Sequence, residues 1–120
     1  MMFDHVGLRV TDLEASARLY AACLAPLGFV PGSAGEDYAG FGPPQASALW
    51  LHRDASARKG AHVAFAAPDR AAVDRFHAEG LKAGARDNGA PGLRPDYSPT
   101  YYAAFLLDLD GNNIEAVCTR

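Results

Sequence analysis

HVGLRVTDLEASARLYAACL, from His5 to Leu24, decides the fold, because the chain contains it twice. Displaced by 57 residues it overlies HVAFAAPDRAAVDRFHAEGL, from His62 to Leu81, with seven of 20 positions identical. The identical pairs are His5/His62, Val6/Val63, Asp12/Asp69, Ala15/Ala72, Arg18/Arg75, Ala21/Ala78 and Leu24/Leu81. One register holds through a strand-like stretch and then a helix-like stretch, which marks internal duplication. A second echo lies further on, where Tyr38-Ala-Gly-Phe41 resembles Tyr102-Ala-Ala-Phe105.

Each copy has the same plan. His5 to Val10 alternates, placing Val6, Leu8 and Val10 on one strand face and His5, Gly7 and Arg9 on the other. Thr11 and Glu14 have capping-box spacing, so a helix is expected from about Asp12, with Leu13, Ala17, Tyr20 and Leu24 as its apolar stripe. Pro26 and Gly28 end it. The second copy gives a strand over 61–66 and a helix from about Pro68-Asp69 to Gly84. Three strands are expected after each helix: about 29–32, 37–41 and 46–52, then 85–88, 101–108 and 113–118. Asp110-Gly111-Asn112 is a hairpin signal, and Gly89 to Pro99 reads as a long loop. The expected fold is α+β: one domain over 1–120, made of two tandem βαβββ units, about 1–54 and 60–120, that form a paired-sheet cleft.

Composition bounds what such a domain does. Of the 120 residues 49% are hydrophobic, enough for a core, and the net charge of -3 argues against nucleic acid as a partner. No apolar run approaches the ~20 residues of a membrane span, and MMFDHVGLRV does not read as a signal peptide. Cys23 and Cys118 lack metal or disulfide spacing and suit free thiols, so a cytoplasmic location is expected.

Period-two alternation then sorts the polar residues. Packing Val6, Leu8 and Val10 on the first helix sends His5 and Arg9 to the open face of their sheet. Val63 and Phe65 likewise leave His62 open, and Ile114, Ala116 and Cys118 leave Glu115 open. Two histidines and one glutamate form a ligand kit for a divalent metal with free positions: Zn, Mn, Fe, Co or Ni. The repeat sets Ala48-Leu49-Trp50-Leu51 over Asn113-Ile114-Glu115-Ala116, so Trp50 stands where the second unit has its carboxylate. Trp50 is expected to wall a small-molecule cleft, with His52 beside it. Of Tyr101 and Tyr102, which alternation puts on opposite faces, Tyr102 is favoured as the cleft-facing catalytic group; His52 and Asp108 are further candidate bases. Arg94 and Tyr97, in the long loop, are candidates for recognising an anionic substrate.

These segments, DHVGLRVTDLEAS, GAHVAF and FLLDLDGNNIEAV, resemble the vicinal oxygen chelate superfamily, which includes glyoxalase I, fosfomycin-resistance thiol transferases, extradiol dioxygenases and bleomycin-binding proteins. The resemblance covers essentially the whole chain. It implies paired βαβββ units around a metal held by His5, His62 and Glu115. It also implies a metal-dependent lyase, isomerase or thiol transferase that chelates a small oxygenated substrate and stabilises an oxyanion or enolate. Glutathione or another thiol is an implied co-substrate, with Arg9 placed like a glutathione-carboxylate contact. The alternatives are an Fe(II) extradiol-type dioxygenase and a non-catalytic drug- or metabolite-binding protein. Trp50 departs from glyoxalase I, which has a fourth ligand there. A homodimer is expected, with the cleft formed either within one chain or across two.

Overall fold

The computed structural model describes residues 2–120. Strand β1 (Val6–Val10) alternates as its sequence does, with Leu8 and Val10 buried and Gly7 and Arg9 exposed. Helix α1 (Leu13–Leu24) follows and runs into a 3-10 turn over Ala25–Leu27. Gly28 closes that turn at φ 92°, a left-handed conformation that glycine adopts without a Cβ clash. Strands β2 (Val30–Ala34), β3 (Tyr38–Gly42) and β4 (Leu49–Arg53) complete the first unit. The second contains β5 (His62–Ala66), α2 (Arg70–Lys82), β6 (Arg86–Leu93), β7 (Tyr102–Leu107) and β8 (Asn113–Cys118).

Each unit is βαβββ. Its four strands form one sheet, ordered β1-β4-β3-β2 in the first unit and β5-β8-β7-β6 in the second. The first strand pairs parallel with the last, and the remaining pairs are antiparallel. Gly7 lies opposite Trp50, and Ala64 lies opposite Glu115. Since Gly7 and Ala64 are the same place in the repeat, Trp50 and Glu115 are the same place too.

Two local expectations are corrected. The capping box does not form: Asp12, not Thr11, caps α1, its carboxylate accepting from the Ala15 N–H at 3.1 Å. Asp69 caps α2 in the same way at 2.7 Å, so the identical pair Asp12/Asp69 is a pair of N-caps. Thr11 is drawn to Asp110 in the β7–β8 turn, its hydroxyl donating at 2.7 Å, because a carboxylate is a stronger acceptor than a neutral oxygen. Glu14 pairs with Arg53 at 2.9 Å. The second correction concerns 89–93, which the sequence reads as loop and which is the end of β6. Register shifts between Asp87 and Gly89, and between Gly89 and Gly92, let this Gly- and Pro-containing stretch pair with β7.

The units meet through their helices, α1 on α2. One contiguous core draws on both: Leu19, Tyr20, Cys23 and Leu51 from the first, Val73, Phe76, Leu106 and Ile114 from the second. A buried polar link reinforces it. Tyr20 donates to Asp108 at 2.6 Å, Asp108 also accepts from the Asn112 N–H, and Asn112 accepts from the Ala61 N–H. Each sheet leaves its other face exposed, with Arg9 and His52 on the first and His62 on the second, and the molecule is elongated, 42 × 28 × 26 Å.

Candidate functional site

The open face of the second sheet gathers residues from three strands. β5 begins at His62, whose Nδ1 lies 3.1 Å from the carbonyl oxygen of Asn113 on the neighbouring strand β8. A carbonyl only accepts, so this contact puts a proton on Nδ1 and leaves Nε2 of the neutral ring with a lone pair. That Nε2 lies 3.1 Å from Glu115 Oε1. Two acceptors facing each other at this distance need a proton or a cation between them. Glu115 itself is only 2% exposed, in a strand β8 whose Ile114, Ala116 and Cys118 face the core. A carboxylate so buried requires partners, and the second of these is the Tyr101 hydroxyl, which donates to Oε2.

Tyr101 just precedes β7, and its ring meets that of Tyr97 edge-on at 5.0 Å between centroids. Burial, and then the adjacent Glu115 carboxylate, push its phenol up to about 12. On the same face Phe105 lies opposite Glu115, and its ring stacks with that of His62 at 6.4 Å and 22°. Asn113 adds a buried side-chain oxygen, Oδ1, without a hydrogen-bond partner, the only such atom among the described residues. Nitrogen and oxygen donors beside an unsatisfied oxygen suit a divalent cation and its water.

The first sheet presents a different set. His5 precedes β1 and pairs with Asp4, Nδ1 to Oδ1 at 2.7 Å. Arg9 lies on the exposed phase of β1, 3.7 Å from Asp54. The Trp50 ring lies over Gly40, where a Cβ would come within 2.5 Å of it, and tilts against Tyr38 at 6.1 Å. The His52 ring borders Gly7, where a Cβ would stand 3.6 Å from it.

His62 and Glu115 are therefore brought together, and His5 is not brought to them within one chain. No cluster of three or more His, Cys, Asp or Glu side chains able to hold a metal occurs among the described residues. Within one chain the two open faces do not close on each other, and His5 and His62 both stay exposed. The expectation that Tyr102 faces the cleft is corrected. Its hydroxyl donates to Asp74 of α2 at 2.6 Å, on the helix side of the sheet. Tyr101 is the tyrosine at the site, and alternation alone could not choose between them. Asp108 is no free base either, being committed to Tyr20, Asn112 and the Asp110 N–H. Tyr97 is 66% exposed and reaches the site only through Tyr101. Alternation puts Phe105 on the face of Tyr101, but nothing in the sequence marks it as a site residue.

Two βαβββ units, each with an uncovered sheet face bearing its polar residues, define a class of duplicated, cleft-forming proteins. The chain belongs to the Glyoxalase/Bleomycin resistance protein/Dioxygenase superfamily, whose family model matches residues 2–116. It is similar to a glyoxalase/bleomycin resistance protein from Albidiferax ferrireducens T118, at 33% identity over 98% of both chains and a TM-score of 0.84. A glyoxalase/bleomycin resistance protein/dioxygenase family enzyme from Burkholderia phytofirmans PsJN shares the fold at 18% identity, 98% of both chains and a TM-score of 0.73. So does a glyoxylase/bleomycin resistance protein/dioxygenase domain from Frankia sp. EAN1pec, at 22% identity, 97% of this chain, 95% of that one and a TM-score of 0.71. No curated protein matches the chain. No helix among the described residues is long and apolar enough to cross a membrane.

Proposed function

We propose that this protein is a metal-dependent enzyme of the glyoxalase-like kind, acting on a small oxygenated substrate as a homodimer. His62 and Glu115 of one subunit and His5 of the partner subunit would hold the metal. The observation that carries this reading is the pair of acceptors, His62 Nε2 and Glu115 Oε1, aimed at each other 3.1 Å apart. The Asn113 carbonyl fixes the tautomer that makes His62 a ligand, and Tyr101 occupies the other oxygen of Glu115. When bound, a divalent ion supplies Lewis acidity to a substrate oxygen and so favours an oxyanion or enolate.

The chain's own residues do the rest. Tyr101 holds the carboxylate in one rotamer and excludes water from its far side. Phe105 walls the imidazole. From the partner, the open face of the first sheet would close the cleft with an aromatic surface at Trp50 and polar groups at Arg9 and His52. Tyr97 lies at the rim. A thiol co-substrate such as glutathione fits a cleft with a cationic Arg9 edge. The class of reaction is a lyase, isomerase or thiol-transfer step at the carbon next to the chelated oxygen.

Complementation tests this arrangement. His5→Ala and Glu115→Ala variants are each expected to lose stoichiometric binding of Zn2+ or Mn2+ by calorimetry. Mixing the two, after unfolding and refolding together, is expected to restore one intact site in every mixed dimer. Without recovery the shared site is wrong, since a site confined to one chain would be broken in both variants.

A further inference from the structure

Across the second sheet one row of positions runs Ala64, Glu115, Phe105, Gly89, as the ladders pair them. The fourth position has no side chain. In its place lies the guanidinium of Arg94, brought back from just beyond the end of β6. Its Cζ stands 5.3 Å from the Phe105 ring centroid, a cation–π seat, and Nη2 donates to the Ala90 carbonyl oxygen at 2.7 Å. Two glycines leave room for it. A Cβ at Gly89 would come 3.3 Å from Nη2 and 2.9 Å from Phe105, and one at Gly92 would come 3.2 Å from Nη1. Gly89 also has φ 154°, outside the range of ordinary side-chain-bearing residues.

Arg94 is half-buried, and among the described residues no carboxylate lies within ion-pair distance of it. Arg53, by contrast, is neutralised by Glu14 and Asp37. A guanidinium has five N–H donors in a planar fork, and the Ala90 carbonyl takes one of them. The rest remain for a planar or tetrahedral oxyanion. One phenyl ring separates this cation from His62, since Phe105 touches both.

We propose that Arg94 is an anion-binding residue of this face, and that the substrate carries a carboxylate, phosphate or phosphonate group about a phenyl ring's span from its chelating oxygens. The anion site stands on this chain alone, and its assignment to the substrate rests on the metal reading above. Phe105 serves both ends, as seat for the guanidinium and wall for the imidazole. Lysine would not replace Arg94, because a point charge lacks the flat face that rests on Phe105 and the fork that grips an oxyanion.

The metal-free protein tests this with two probes, acetate and methylphosphonate, titrated while the arginine Nε–H resonances are followed by NMR. The resonance that disappears in Arg94→Gln is that of Arg94. It is expected to shift saturably with at least one probe, and the probe that binds more tightly identifies the anion. Arg94→Gln is expected to weaken that binding about tenfold or more, and Arg94→Lys to restore it only in part. Gly92→Ala, which leaves the charge and disturbs its seat, is expected to weaken it as well. Saturable binding of equal strength in the parent and Arg94→Gln would overturn the proposal, as would a shift confined to other arginines or no saturable shift at all. Thermal unfolding of each variant separates lost folding from lost binding. Calorimetric metal binding by the parent is an independent readout, so failure of the metal reading and failure of the anion site are told apart.

Discussion

At the scale of single residues the site turns on who occupies which lone pair. Tyr101 takes Oε2 of Glu115 and the Asn113 carbonyl takes the Nδ1 proton of His62, leaving Oε1 and Nε2 for a cation. Tyr101→Phe is expected to lower Mn2+ or Zn2+ affinity by about 10- to 100-fold in calorimetry while the fold survives, as outer partners of metal ligands do. Tyr101 and Tyr20 also make stability depend on alkaline pH. Burial raises both phenols, Tyr101 to about 12, above an ordinary value of 10.0. Below about pH 10 the folded and unfolded chains both hold these protons, so the stabilisation is complete there. As pH rises through the folded value the unfolded chain has released them, and stability falls. Urea unfolding of the metal-free protein is expected to show this loss between about pH 10 and 12. Tyr20→Phe is expected to reduce its slope, and to cost about 1.5–3 kcal/mol at pH 7 by stripping buried Asp108 of a donor. Two copied histidines and Glu115 could be picked from the sequence by alternation. Choosing Tyr101 over Tyr102 required knowing which face of β7 the helix covers.

At the scale of elements the repeat explains most of what forms. Alternation placed β1, β5 and β8 with their core faces correct, because Leu8, Val10, Ile114 and Ala116 can be buried on one side only. Caps and loop ends were less legible. Adjacent Thr11 and Asp12 both suit an N-cap, and the contest was decided by Asp110, 99 residues away, which captures Thr11. Asp12→Ala is therefore expected to destabilise the protein by about 1 kcal/mol in denaturant unfolding. Asp69→Ala should behave alike as its copy. The continuation of β6 through Gly89 and Gly92 was hidden because glycine and proline usually signal loop, whereas here bulges absorb them.

At the scale of the whole molecule, two units too small to bury a good core alone share one. Unfolding is expected to be a single transition: the fluorescence of Trp50, the sole tryptophan, and hydrogen exchange in α2 should report the same midpoint in urea. Separate midpoints would mean that the helix contact and the Tyr20–Asp108 link do not couple the units. Both open sheet faces carry exposed side chains, Arg9 and His52 on the first and His62 on the second.

The sequence by itself determined the duplication, the βαβββ order and which strand residues face the helices, because apolar period and repeat register are local properties of the chain. It also placed Trp50 and Glu115 as counterparts. Only the tertiary structure decided that α1 docks on α2, that His62 and Glu115 meet while His5 stays apart, and that Arg94 fills the gap left by Gly89. Those outcomes depend on how two units pack and on hydrogen bonds between residues far apart in the chain, which no local pattern encodes.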